Sequence, residues 1–214
     1  MMNDFETIRL EVSGPVARLT LALPAKRNAL TSLTLGELTC ACAAIQANKE
    51  VRVTVLSGEG QSFCVGFDLK AVARLFSEGV PSASDLRTLA RAGRGAVEAI
   101  RELDAITVAS MQGHAVGGGF LLASACDLRV VAEDTLLSVP EIDLGVPLTW
   151  GGVPMLTALL GPSIARQVVL LGTPFNANTL KGTGFVSKWV SAEERSAATE
   201  RLVSDLCGKP PAVL

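Results

Sequence analysis

Three stretches of this chain carry residue types that together could form and quench an enolate. Residues 63–70 read Phe-Cys-Val-Gly-Phe-Asp-Leu-Lys, and residues 113–119 read Gly-His-Ala-Val-Gly-Gly-Gly. Each follows an apolar, strand-like run and puts glycine where a strand should end and a helix begin. Such a junction leaves backbone N–H groups without partners at the helix start. Two of these donors converging on one point would make an oxyanion hole. A carboxylate, Glu141, follows in Ser-Val-Pro-Glu-Ile-Asp-Leu-Gly. Pro140 and Ile142 set it on an apolar wall, where an idle charge is costly. Asp143 is close by, but two residues away and free to face elsewhere.

The elements that must hold these groups follow from the hydrophobic pattern. Thr7–Val12 and Val16–Leu23 alternate around Ser13-Gly14, with Ala17, Leu19, Leu21 and Leu23 on one face, so they read as a hairpin. Pro24–Asn28 reads as a polar loop. Leu33–Asn48 reads as a helix with a Leu35, Leu38, Cys42, Ile45 stripe. Val51–Leu56 reads as a strand, Asp68–Phe76 as a helix and Ser77–Ser84 as a mobile loop. The clearest helix is Asp85–Leu103, where Leu86, Leu89, Gly93, Ala96, Ile100 and Leu103 share a face. Ile106–Met111 is a buried strand, Gly118–Cys126 a small-residue helix, and Leu128–Ala132 and Leu136–Val139 short strands. Beyond Gly151 the pattern is mainly helical, broken by a strand at Phe185–Val190. The rhythm of strand, strand and helix favours an α/β fold with functional loops at strand ends.

Composition excludes several classes. A net charge of −2 with no long basic stretch argues against nucleic-acid binding. Charges or glycines interrupt every apolar run, so no membrane span is expected. The start, Met-Met-Asn-Asp-Phe-Glu, lacks the basic region and apolar core of a signal peptide, which points to a cytoplasmic protein. Cys40, Cys42, Cys64, Cys126 and Cys207 form no Cys-x-x-Cys pair and read as reduced core thiols; with one histidine, His114, no metal site is expected. Gly93-Arg94-Gly95 sits inside a helix, so it fails as a dinucleotide fingerprint. There is no Gly-x-Ser-x-Gly elbow.

Taken together, the segments resemble the crotonase superfamily, the enoyl-CoA hydratase/isomerase family. The marks are Leu23-Pro24-Ala25-Lys26-Arg27-Asn28-Ala29-Leu30, Phe63–Lys70, Gly113–Gly119, and Pro140-Glu141 with Leu144-Gly145-Val146-Pro147. They run in this order from Thr7 towards the C-terminus. The resemblance implies a spiral of repeated β-β-α units over residues 1–160 and a mainly helical C-terminal region over residues 161–214. It implies a homotrimer or hexamer, an acyl-CoA substrate, and no cofactor beyond the coenzyme A of that substrate. The oxyanion donors would be the N–H groups of Phe67 and Gly118, with Glu141 as the acid–base residue. Lys26, Ala29 and Leu30 match the loop that contacts the pantetheine and phosphates, and Cys64, Gly66, Asp68 and Leu69 lie in or beside the adenine-binding stretch. A solvated turn is the plain alternative for Lys26 and Arg27. Asp68 would cap the next helix, His114 would be structural, and Asp127 would fix a strand start.

The chain also departs from that pattern. Hydratases of the family carry a second glutamate, two positions after the glycine run, where this chain has Leu121. Leucine can neither activate water nor donate a proton, whereas moving a double bond needs only one base. The resemblance therefore favours an isomerase with Leu121 keeping the pocket dry. A hydratase or a degenerate acyl-CoA-binding protein is the alternative. A Clp-like serine protease, which shares the spiral, would need a serine beside His114 that the glycine run does not offer. Thr149 and Trp150 replace a smaller, glycine-rich segment and would reshape the acyl pocket. Family members continue past Lys209-Pro210-Pro211, so the last family helix is expected to be missing or only partly present.

Overall fold

A computed structural model describes residues 5–68 and 82–210. Most of the helix expected over Asp68–Phe76 and of the loop expected over Ser77–Ser84, residues 69–81 with Leu69 among them, lies outside the described residues. The hairpin forms as strands β1 (Ile8–Ser13) and β2 (Val16–Leu21), antiparallel with Ile8 opposite Leu21. Alternation puts Ala17, Leu19 and Leu21 into the core. Helix α1 (Ser32–Ala47) starts at a Thr31–Thr34 capping box and buries the predicted Leu35, Leu38, Cys42 and Ile45 stripe. Strand β3 (Val53–Gly58) lies parallel to β2.

Helix α2 (Ala83–Arg101) begins two residues earlier than expected, because Ser82 and Asp85 form a capping box. After it come β4 (Ile106–Met111), β5 (His114–Val116), α3 (Gly118–Ala125), β6 (Leu128–Ala132) and β7 (Leu136–Ser138). The C-terminal part supplies α4 (Gly152–Leu171), β8 (Phe175–Asn176), β9 (Lys188–Val190) and α5 (Arg195–Cys207). The large sheet has the order β1-β2-β3-β4-β6-β9, parallel from β2 onward. The small sheet has the order β5-β7-β8. Thus β4 hands over to β5, and β6 to β7, each turn giving one strand to each sheet. This is the spiral of β-β-α units that the resemblance implies.

Four local expectations change. Pro24–Lys26 is a short 3-10 turn rather than an open loop. The strand expected from Phe185 starts only at Lys188. Phe185 is instead fully buried against Phe120, with ring centroids 5.5 Å apart, and its carbonyl accepts from Arg129 Nε at 2.5 Å. Helix α4 is long and apolar enough to cross a membrane, contrary to the reading of the sequence. It bends at Gly161-Pro162 and turns Leu156, Leu160, Ala165 and Val168 into the core. A core helix passes the same length test. All five cysteines are free; Cys42, Cys64 and Cys126 are buried, while Cys40 is exposed and Cys207 half-buried rather than in the core. Among the described residues no cluster of metal-ligating side chains occurs.

Candidate active site

The small sheet aligns the glycine run with the carboxylate. Strands β5 and β7 are parallel with Val116 opposite Ser138, so both chains leave at the same edge. Beyond it one chain enters α3 at Gly118, and the other enters a 3-10 turn at Pro140–Ile142 that carries Glu141. Gly117 bridges the two, its N–H donating to the Ser138 carbonyl at 2.9 Å. Its φ of 49° and ψ of −118° suit only glycine. A β-carbon there would also stand 2.4 Å from Glu141 Oε1, so the carboxylate lies directly against the residue preceding the Gly118 donor.

The second donor comes from the Phe63–Asp68 segment. Cys64 pairs with Ala115 of β5, and Phe67 with Leu30, as isolated parallel bridges. Leu30 N–H donates to the Gly66 carbonyl at 2.8 Å, and Asp68 N–H to the Leu30 carbonyl at 2.9 Å. In extended backbone the N–H between two such partners points the other way, so Phe67 N–H faces away from Leu30. The segment passes beside the start of α3: a β-carbon on Gly66 would lie 3.6 Å from the Gly118 nitrogen. Gly118 opens α3, so its N–H has no partner within the helix. The two donors and the Glu141 carboxylate thus share one small region, and the α3 dipole favours negative charge there.

Glu141 is half-buried, and its Oε2 is buried without a hydrogen-bond partner. Burial raises its pKa above the usual carboxylate range, with its own backbone N–H pulling weakly the other way. Asp143 is not a second base here. Its Oδ2 would be 2.7 Å from a β-carbon on Gly172, at the far end of α4. Leu121 is 1% exposed and packs with Leu148 against Gly152, the first residue of α4, leaving room for no β-carbon there. His114 Nδ1 lies 3.3 Å from Ser62 Oγ, and Asp127 accepts from Thr107 N–H and Oγ1 at 2.8 and 2.7 Å, tying β4 to the start of β6.

The proposed coenzyme loop surrounds the same region unevenly. Ala29, Leu30, Cys64 and Gly66 are buried, Phe67 and Asp68 are half-buried, and Lys26 and Thr149 are exposed. Burial pushes the Cys64 thiol up to about 12, so it is no nucleophile. Its Sγ donates to the Asn28 carbonyl at 3.1 Å and accepts from Gly66 N–H at 3.4 Å. Asn28 itself has a role the sequence reading missed. With φ at 56°, its side chain accepts from Leu23 N–H and donates to the Glu59, Ser62 and Phe63 carbonyls at 2.9–3.2 Å. The signal was an asparagine in a turn, a residue that tolerates left-handed backbone while bonding its neighbours.

Trp150 also holds more of the site than its sequence context suggested. Its indole lies between two glycines on different helices. A β-carbon on Gly93 of α2 would fall 1.8 Å from Cε2, and one on Gly118 would fall 2.4 Å from Cζ3. Of the two glycines of α2, Gly93 has a packing purpose, seating the indole that walls the Gly118 donor, whereas Gly95 faces open space. Gly93→Ala should cost about 1–3 kcal/mol of stability through overpacking and push the ring off Gly118. A shifted tryptophan emission together with a lower urea midpoint would register both effects; an unchanged midpoint would contradict this packing.

Comparison with known proteins agrees with this architecture. The family model described as enoyl-CoA hydratase/isomerase matches residues 11–214. The peroxisomal Delta(3,5)-Delta(2,4)-dienoyl-CoA isomerase of Arabidopsis thaliana is 29% identical over 98% of this chain and 78% of its own length. The carnitinyl-CoA dehydratase of Salmonella enteritidis is 34% identical over 96% of this chain and 76% of its own. A candidate enoyl-CoA hydratase from Thermobifida fusca, solved in complex with CoA, superposes with a TM-score of 0.86 at 30% identity, covering 97% of this chain and 80% of that one. With its glycine-built donors, its half-buried glutamate and a family match over nearly its whole length, this chain belongs to the enoyl-CoA hydratase/isomerase family.

Proposed function

We propose that this protein moves a double bond in an acyl-CoA thioester, converting a 3-enoyl-CoA to a 2-enoyl-CoA. The observation that carries the reading is the packing of Leu121. A leucine fills the position where the family's hydratases keep their water-activating glutamate, and it is sealed against Gly152 and Leu148. One carboxylate, Glu141, then stands against the oxyanion donors, while Asp143 is turned to the end of α4.

In this reading the thioester oxygen accepts from Phe67 N–H and Gly118 N–H. Glu141 takes a proton from C2, and the electron pair of that C–H bond spreads over the dienolate onto the oxygen. The same carboxyl returns its proton at C4, and the double bond settles between C2 and C3. A desolvated glutamate with a raised pKa is a better base and a better returning acid than a solvated one. Each backbone donor to such an oxygen contributes on the order of 3 kcal/mol to the transition state. The Thermobifida fusca complex with CoA supports coenzyme A thioesters as the substrate class. The reading includes a homotrimer or hexamer working in the cytoplasm, with no cofactor beyond the coenzyme A of the substrate.

The likeness to carnitinyl-CoA dehydratases favours a second reading, addition or removal of water at the same site, as a lyase. One pair of assays separates the two. Purified protein is given 3-enoyl-CoA and 2-enoyl-CoA separately, and both are followed by ultraviolet absorbance and mass. Gain of conjugation from the first, with no mass change in the second, is expected. A gain of one water on the 2-enoyl thioester would overturn the isomerase reading in favour of the second. No change in either, with thioester binding intact, would leave a degenerate acyl-CoA-binding protein.

A further inference from the structure

A cavity of about 280 Å³ opens beside Trp150, lined by Arg87, Ala90, Arg91, Arg94, Trp150 and Gly151. The three arginines are spaced four and three residues apart, so they share one face of α2. Like charges at that spacing destabilise a helix unless something opposes them. Arg94 has a partner, Glu98, at 2.6 Å. Among the described residues Arg87 and Arg91 have no carboxylate partner. Within the described residues the cavity thus presents two guanidinium groups with no carboxylate beside them, next to an aromatic wall. The indole that forms this wall is the one whose outer edge lies over Gly118. A single ring touches both the cavity and an oxyanion donor.

We propose that this cavity receives the far end of the acyl group and that this end is a carboxylate. The inference rests on the reading above that a thioester carbonyl sits at Phe67 and Gly118. From there an apolar chain running along the indole face leads to the arginines. Guanidinium groups match a carboxylate in planar, bidentate geometry, and such charge-assisted bonds are strong and oriented. The same arrangement selects against an acyl group ending in a quaternary ammonium. An indole face alone attracts such a cation. Arg87 and Arg91 beside that face repel it, and a like charge in a partly enclosed site discriminates strongly. The substrate class is therefore an unsaturated dicarboxylic acid joined to coenzyme A through one of its carboxyls.

The test uses three unsaturated CoA thioesters of matched length, ending in a carboxylate, a methyl or a trimethylammonium group. For the wild-type protein, kcat/KM should be at least tenfold higher for the carboxylate than for the methyl end, and lowest for the cation. In Arg87→Gln/Arg91→Gln the carboxylate-to-methyl ratio should fall at least tenfold. Arg101→Gln, on the same helix but outside the cavity, should leave that ratio unchanged. A cationic thioester used as well as the methyl one would overturn the proposal, as would a ratio within twofold of wild type in the double variant. Weaker binding of free CoA by the double variant would assign the arginines to the CoA phosphates and overturn it too. Calorimetry with the saturated thioesters separates this inference from the isomerase reading. Tighter binding of the acid without any turnover supports the subsite while removing the isomerase; equal binding of acid and methyl forms removes the subsite.

Discussion

Replacing Glu141 with glutamine is expected to lower exchange of the C2 proton by about 10²–10⁴-fold, the range that a positioned general base contributes. Glutamine keeps the shape against Gly117 but cannot take the proton. Thioester affinity should change little, because the donors are backbone groups on other segments. The same substitution should raise stability at neutral pH. Burial holds the folded-state pKa of Glu141 above its unfolded value, so the fold binds that proton more tightly than the unfolded chain does. This contribution is fully present below the unfolded carboxylate value, about 4.3, and is lost as pH rises through the raised folded value. A neutral amide has nothing to lose on that rise. Urea midpoints should therefore be higher for Glu141→Gln than for wild type at pH 7.5 and should converge near pH 4. Deuterium exchange at C2 that survives the substitution would remove Glu141 from the mechanism. A variant less stable than wild type at pH 7.5 would mean that the carboxylate is held by a partner rather than left desolvated.

This opposition between function and stability explains which parts of the site could be read from the sequence. Glycine at the junction of β5 and α3 and a carboxylate between Pro140 and Ile142 are local signals, and the structure has α3 opening at Gly118 and Glu141 in a 3-10 turn. Legible too was the α1 stripe, because one helix face carries it. What remained hidden depends on contacts between distant segments. Gly93 looked like one small member of a helical stripe; only the fold brings Trp150 onto it. Asn28 looked like loop polarity, yet its amide closes three carbonyls that the Gly58–Phe63 turn leaves open. The late start of β9 could not be foreseen either, since a side chain, Arg129, takes the Phe185 carbonyl. The apolar length of α4 is hidden in the sequence because glycines and charges read as breaks, whereas the helix bends at Gly161 and continues. At position 121 the sequence offers only a leucine where the resemblance implies a carboxylate; its packing against Gly152, which makes it part of the core, is visible only in the fold.

A backbone donor cannot be deleted by changing its own side chain, so the Phe67 N–H must be tested through its neighbour. Phe67→Ala should leave the donor in place. Gly66 is the handle, with φ at +83° and the Val116 carbonyl 2.7 Å from where a β-carbon would sit. Neither problem can be relieved by a rotamer, because the obstacle is backbone and the conformation itself disfavours any L side chain. Gly66→Ala must therefore shift the segment that carries the Phe67 N–H, or push Val116 and with it the start of α3. Either movement separates the two donors. Loss of one oxyanion-hole donor costs about 10²–10³-fold in kcat, and that loss is expected here. The bridge to Leu30 and the Cys64 contact lie on either side of Gly66, so the segment stays anchored and the chain should still fold. The decisive comparison is between kcat and binding of a saturated thioester. A hole built from these two N–H groups predicts a collapse in kcat out of proportion to any loss in affinity. If affinity and kcat fell by the same factor, the Gly66 segment would be a binding wall, and the dienolate oxygen would have to be held elsewhere.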